Sequence, residues 1–320
     1  MSVFSAEVIQ KLFGKEDAEN EDPTRLKEYF FRNKAYDDLT ANLPIRILVG
    51  HKGAGKSALL KIAYSEDQAA GILALWLRPD EVRAAVPQAG NGNLNSQIDA
   101  WKRALTQLVA QEIAENYCSG ATQHLVNGEG PHGRLKDIST IASEMFSAPA
   151  QASSSTQKRV IENFKKSNLI RVYLDDLDRG WEGKTTDIRN ISALLNAIRD
   201  LCGSKNSLQF RLGLRSDVYY LVRTSDESTD KIEANLIFLT WVNHEILVLA
   251  AKRIESFFGR MLDESKLVNV RQTEVARYLG VLDIFKITDL DSEKEATAEV
   301  PVPEHKPPIK PTVGLFKKPR

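Results

Sequence analysis

Five short runs of apolar and β-branched residues punctuate the chain, each bounded by turn or charged residues. They are Ile45–Gly50, Gly71–Leu77, Leu169–Leu174, Leu208–Leu214 and Asn235–Trp241. Between them lie segments of helical period. Residues 188–201 place Ile188, Ile191, Leu194, Leu195, Ile198 and Leu201 on one stripe, with Thr186 or Asp187 as the expected N-cap. Residues 96–117 do the same with Ile98, Trp101, Leu105, Leu108 and Ile113, and residues 243–258 with Ile246, Ala250, Ile254 and Phe257. Strands alternating with helices predict an α/β fold, with a mostly parallel central sheet of about five strands flanked by helices.

One connection is longer than a crossover needs. About 90 residues separate the second run from the third, which predicts a helical insertion over residues 80–168. It holds a Gly- and Asn-rich loop at Pro87–Asn95, the 96–117 helix, a polar patch at Gly120–Gly133 and a flexible stretch at Ser147–Thr156. Around it the chain divides into a helical lead-in (1–40), a core (41–262), a short helical segment (263–288) and a tail (289–320). The tail is acidic from Asp289 to Glu299. Six of the chain's twelve prolines then fall within residues 301–320, and the last residues are basic. Such a segment buries no core and is expected to be disordered or extended.

Composition narrows the class. Of 320 residues, 42% are apolar and 27% charged, which excludes a wholly disordered chain or a rod. Lys+Arg and Asp+Glu both number 43, so no global basicity argues for wrapping nucleic acid. The two cysteines, Cys118 and Cys202, make no disulfide framework and suit a reducing compartment. The N-terminus lacks a basic and an apolar signal region, and no run is long enough to span a membrane. A soluble, cytoplasmic protein with no membrane contact is therefore expected.

The chemistry concentrates at strand ends. Residues 50–57, Gly-His-Lys-Gly-Ala-Gly-Lys-Ser, match G-x-x-x-x-G-K-[ST], follow an apolar strand and open a helix-forming run. That context is what a phosphate-binding loop requires. Glycines let successive backbone N–H groups turn inward around phosphate oxygens, and the helix N-terminus adds positive potential. Gly50, His51, Lys52, Gly53, Ala54, Gly55, Lys56, Ser57 and Ala58 are thus the candidate ATP-binding residues. Lys56 is placed to reach the β- and γ-phosphates and Ser57 to ligate Mg²⁺. His51 occupies a variable position and reads as a spacer.

Residues 169–179 supply an acidic strand end, Leu-Ile-Arg-Val-Tyr-Leu-Asp-Asp-Leu-Asp-Arg. Asp175 is the candidate Mg²⁺ ligand, and Asp176 the group that polarises an attacking water. For Asp178 and Arg179 two readings stand, a mutual ion pair or a role near the γ-phosphate. The fourth run ends in Arg215-Ser216-Asp217. Arg215 is either a charge stabiliser for the transition state or a partner of Asp217 in a surface ion pair. Arg253 either faces a nucleotide or forms part of a solvated helix face, the second being the expected reading, and Trp181 and Trp241 read as core or interface aromatics. The five histidines show no metal-ligand spacing, and no nucleophilic triad or nuclease constellation is evident.

The segments IRILVGHKGAGKSALL, YLDDLDRGW and RLGLRSDVY followed by NLIFLTWVNHEILVLAAKRI resemble the bacterial P-loop ATPases related to STAND and KAP NTPases. FFRNKAYDDL, leading into the first strand, adds to the likeness. DDLDR is similar to the second acidic motif of KAP proteins, whereas the arginine after the fourth strand is more like STAND and AAA+ proteins. The resemblance spans roughly residues 25–260. It implies a P-loop NTPase of the additional-strand class, binding ATP and hydrolysing it slowly to drive a conformational or assembly switch, often in defence or signalling modules. Many relatives continue into a helical or winged-helix lid. Here only about 25 helix-compatible residues (263–286) precede the tail.

Three functions compete. The leading one is an ATPase switch acting on an effector or signalling partner protein, as a homo-oligomer or hetero-complex. The others are an ATP-driven nucleic-acid motor and a nucleotide-dependent scaffold without turnover. An incomplete lid implies that a neighbouring subunit or partner covers the site, with the tail as tether. The tail's other reading is an inert terminus, and deleting residues 290–320 while measuring assembly mass and turnover separates the two.

Overall fold

The five apolar runs form five strands in the computed structural model. They are β1 (Ile45–Gly50), β2 (Leu73–Leu77), β3 (Ile170–Leu174), β4 (Leu208–Arg215) and β5 (Leu236–Phe238). The structure describes residues 23–28, 30–78, 80–82, 93–118, 169–203, 207–225, 232–263, 266–267 and 270–279, with isolated positions at 12, 21, 155, 157–158 and 161–162. Most of the lead-in, much of the 80–168 connection and the 289–320 tail lie outside the described residues. The described helices are α1 (Pro23–Glu28), α2 (Lys34–Thr40), α3 (Lys56–Ala69), α4 (Leu94–Cys118), α5 (Thr185–Cys202), α6 (Ser216–Ser225), α7 (Asn243–Phe257) and α8 (Gln272–Leu279). None is long and apolar enough to cross a membrane.

The sheet order is β2-β3-β4-β1-β5, and every pairing is parallel. β4 therefore lies between β1 and β3, which brings three strand ends side by side. Alternate residues go to opposite faces. Ile45, Ile47 and Val49 of β1 join Val172, Phe210 and Leu212 beneath α4, α5 and α6. α4 is held to α5 by Trp101, whose Nε1 donates to Asn190 Oδ1 at 2.9 Å. Leu48, Tyr173 and Ile237 face the other way, against α2 and α3. A third, smaller core joins Phe31 to α7 and α8 through Val248, Ala251, Leu267 and Val275.

The helix starts differ in detail from expectation. α5 begins at Thr185, so neither Thr186 nor Asp187 is the N-cap. Asp187 instead sits three positions in, where its Oδ2 accepts from the Lys184 and Glu182 N–H groups at 3.1 Å each. From inside the first turn the carboxylate reaches back to the N-cap N–H of Lys184 and to the Glu182 N–H before it, the N3 half of a capping box. β5 is also shorter than the Asn235–Trp241 run. Its last described pairing is Val49 with Phe238, after which the chain turns toward α7.

The strands are not wholly apolar. Arg171, Tyr173, Gln209 and Arg211 are buried on the α3 face. Asp67, near the C-terminus of α3, takes Arg171 Nη1 and Tyr173 Oη at 2.5 Å each. Gln209 Oε1 accepts from Arg171 Nε (3.1 Å) and Arg211 Nη2 (2.8 Å). Arg211 also donates to the carbonyls of Ala41 (2.7 Å) and Leu43 (3.0 Å). This network fixes α3, and hence the loop that precedes it, on the sheet. Asp67→Ala strands a buried guanidinium and a phenol, so it should cost about 3–5 kcal/mol, read as a lowered denaturant midpoint.

Candidate functional site

The site is built where β1, β3 and β4 end. β1 stops at Gly50, and the chain loops through residues 51–55 into α3. Gly55, the N-cap of α3, has φ +94°, a conformation that costs any residue with a Cβ. Trp241, just past β5, clamps this loop by donating its Nε1 to the Ala54 carbonyl at 2.8 Å. Lys56 folds back across the loop and donates to the carbonyls of Gly50 and His51, both at 3.0 Å. Burial pulls the Lys56 ammonium below its usual range, and the carboxylates of Asp175 and Asp178 work against that. Within the loop the Ala54 N–H donates to the His51 carbonyl at 3.2 Å, and the Lys56 ammonium and the N-terminus of α3 put positive potential at this point.

Asp175 sits at the end of β3, 5% exposed. One carboxylate edge takes the Ser57 hydroxyl and the Asp176 backbone N–H, while burial raises its proton affinity overall. The other oxygen, Oδ2, is buried without a hydrogen-bond partner. A buried carboxylate oxygen with no donor is costly unless a cation takes it. Ser57 and Asp175 therefore fit a hard divalent cation such as Mg²⁺, which commonly takes one or two protein oxygens and completes its shell with phosphate and water. Among the described residues no three His, Cys, Asp or Glu side chains are grouped so as to hold a metal ion.

Asp176 is half-buried, and its φ of 54° is the one positive value at a non-glycine among the described residues. Aspartate tolerates this region better than most residues. Arg215, at the end of β4, is held by Asp217 (Nη2–Oδ2 2.6 Å, Nε–Oδ1 3.1 Å) and by Asp178 (Nε–Oδ2 3.3 Å). Asp178 and Arg179 do not pair with each other. Arg179 reaches Asp80 at 3.3 Å, because the tight turn after Asp176 sends neighbouring side chains apart. Burial raises the Asp178 proton affinity, and the Arg215 guanidinium opposes the rise.

The remaining candidates fall around this centre. His51 is not merely a spacer, since its Nδ1 lies 3.0 Å from Ser216 Oγ and ties the loop to the start of α6. Lys52 is exposed at the loop's outer edge, and Ala58 lines a cavity of about 290 Å³ beside Gly53. Phe30, Phe31, Trp241, Ile246 and Arg253 form the other walls. Arg253 borders this cavity. One expectation is corrected here: Ile246 is 49% exposed instead of buried in the α7 stripe.

Gly213 is a site residue the sequence reading did not single out. A Cβ there would lie 2.4 Å from Asp175 Oδ1 and 3.0 Å from Leu60 Cδ1. A glycine inside a strand signals close approach by a neighbouring group, and here that group is the carboxylate at the end of β3.

The fold and site thus define an α/β protein in which a glycine-rich loop, a buried carboxylate and a tethered arginine meet at the ends of β1, β3 and β4. The chain matches no protein-family model, no curated protein and no solved structure.

Proposed function

We propose that the chain is a P-loop ATPase that binds Mg-ATP, hydrolyses it and uses the nucleotide state to assemble with or activate a partner protein. The observation that carries this reading is the meeting of three groups at adjoining strand ends. They are Lys56 and Ser57 after β1, the partnerless Asp175 Oδ2 after β3, and Arg215 after β4. The order β3-β4-β1 supports the additional-strand class, because β4 is the inserted strand that carries Arg215.

In this reading the loop N–H groups and Lys56 bind the phosphates, and Ser57 with Asp175 holds Mg²⁺. The metal would supply neutralisation of phosphate charge. Asp176 accepts a proton from the attacking water. Arg215 leaves its two carboxylates to stabilise charge developing on the γ-phosphoryl group. The cavity beside Gly53, lined by Phe30, Phe31 and Trp241, suits the nucleobase. The setting is the cytoplasm of a bacterium and a defence or signalling module, with an effector or signalling protein as the partner, in a homo-oligomer or hetero-complex.

A turnover assay with Mg-ATP, with and without DNA, tests the reading. Unstimulated hydrolysis is expected. DNA-dependent hydrolysis would instead make the chain a nucleic-acid motor, and tight binding without turnover would make it a scaffold. Gly213→Ala gives a second test. The new methyl displaces Asp175, so Mg²⁺-dependent nucleotide affinity should fall about tenfold while metal-free affinity holds. Calorimetric titrations with and without Mg²⁺ read the difference.

A further inference from the structure

β1 and β4 run side by side to their last residues, where Gly50 stands opposite Arg215. The register ends with this pair, and the two segments then part. One enters the glycine-rich loop at His51, and the other enters α6 at Ser216. A side-chain contact takes the place of the next rung, for His51 Nδ1 lies 3.0 Å from Ser216 Oγ. A hydroxyl both donates and accepts, so the contact stands in either tautomer of the imidazole.

The two partners are differently placed. Ser216 is buried, the first residue of a helix that Val218 and Val222 seat in the core. His51 is exposed, on a loop that Trp241 holds from its other side at Ala54. A hydroxyl fixed in the core thus holds a residue of the loop. The carbonyl of the same residue accepts from Lys56 Nζ at 3.0 Å. His51 therefore links the resting place of Lys56 to the residue beside Arg215. Those two cations reach the site from different elements, the start of α3 and the end of β4. Asp178 and Asp217 hold the Arg215 guanidinium, but they lie after β3 and on α6, so neither ties it to the loop.

We infer that His51 and Ser216 are positioning residues, which together set how far Arg215 stands from the loop and hence its reach to the γ-phosphoryl group. The inference rests on the ATPase reading. A misplacement of about 1 Å at a reacting centre costs up to about 10²-fold in rate. Arg215 is assigned to charge that develops only in the transition state. Loss of the tie therefore falls on kcat and spares nucleotide affinity.

The experiment measures turnover at saturating Mg-ATP, and Mg-ATP affinity by calorimetry, in the full chain. His51→Ala, Ser216→Ala and the double variant form a cycle. Each single variant should lower kcat about tenfold or more, with affinity kept at the parent's value. The double variant should lose no more than the worse single one, because all three remove the same contact. His51→Asn should recover most of the rate, since its amide also offers a donor and an acceptor to the Ser216 hydroxyl. His51 is exposed, so His51→Ala should keep the parent's thermal midpoint even if Ser216→Ala lowers it. A contact that served only the fold would move that midpoint and leave kcat alone. Parental kcat in His51→Ala, additive losses in the double variant, no recovery in His51→Asn, or a fall in affinity with kcat kept each overturns the inference while the ATPase reading stands. If the parent chain itself does not hydrolyse Mg-ATP, the ATPase reading falls and takes this inference with it.

Discussion

Lys56→Ala is expected to lower ATP turnover by about 10²–10³, the scale for removing one preorganised group that stabilises transition-state charge. The ammonium is half-buried and held only by two neutral carbonyls, those of Gly50 and His51. Burial already disfavours its charge. Phosphate oxygens offer it a stronger, charge-assisted partner, so nucleotide binding relieves an existing cost. The substitution removes both that gain and the contacts that drape the side chain over the loop. Mg-ATP affinity should fall with turnover, while the thermal midpoint stays near that of the parent, because the carbonyls then face water. Parental binding and hydrolysis in Lys56→Ala would show that residues 50–57 are not a phosphate loop.

The second large effect is expected at the end of β3, where two adjacent aspartates should separate by role. Asp176→Asn should keep Mg-nucleotide affinity and lose about 10²–10⁴ in turnover, because an amide takes no proton from water. Asparagine is the informative replacement, since it tolerates the positive φ of 54° at this position. Alanine would add backbone strain and confuse the two causes. Asp175→Ala should instead abolish the Mg²⁺ dependence of nucleotide binding, since it deletes the buried oxygen that has no other partner. Single-turnover kinetics and calorimetry with and without Mg²⁺ distinguish the two. Parental hydrolysis in both variants would refute the assignment of this strand end.

Much of this was legible in the chain. Runs of β-branched and apolar residues in parallel strands are buried on both faces, so the pattern stands out without any partner in view. The loop at residues 50–57 was equally visible, because its glycine pattern and the strand and helix on either side of it are consecutive in the chain. Less legible were groups whose role depends on what faces them. The turn at residues 176–181 sends Asp178 to Arg215 and Arg179 to Asp80, although adjacency suggested a mutual pair. For Arg215 the ion pair with Asp217 is present, and Asp178, which the sequence reading did not connect to it, is a second partner.

Sequence alone determined the α/β class, the order of strands and helices along the chain, and the contiguous loop, since these follow from local periodicity and short-range backbone chemistry. Lateral placement was decided only by the tertiary structure. Nothing in the spacing of β1, β3 and β4 along the chain says that β4 lies between the other two. That packing sets Gly213 against Asp175, lets Asp67 on α3 neutralise Arg171 on the sheet face beneath it, and brings Trp241 onto the loop from 187 residues away. It also leaves α7 with two partners, a core on one side and the cavity beside Gly53 on the other, so a single stripe could not describe its apolar residues. A helix period specifies which residues share a face, whereas what that face meets depends on close packing with elements far away in the chain.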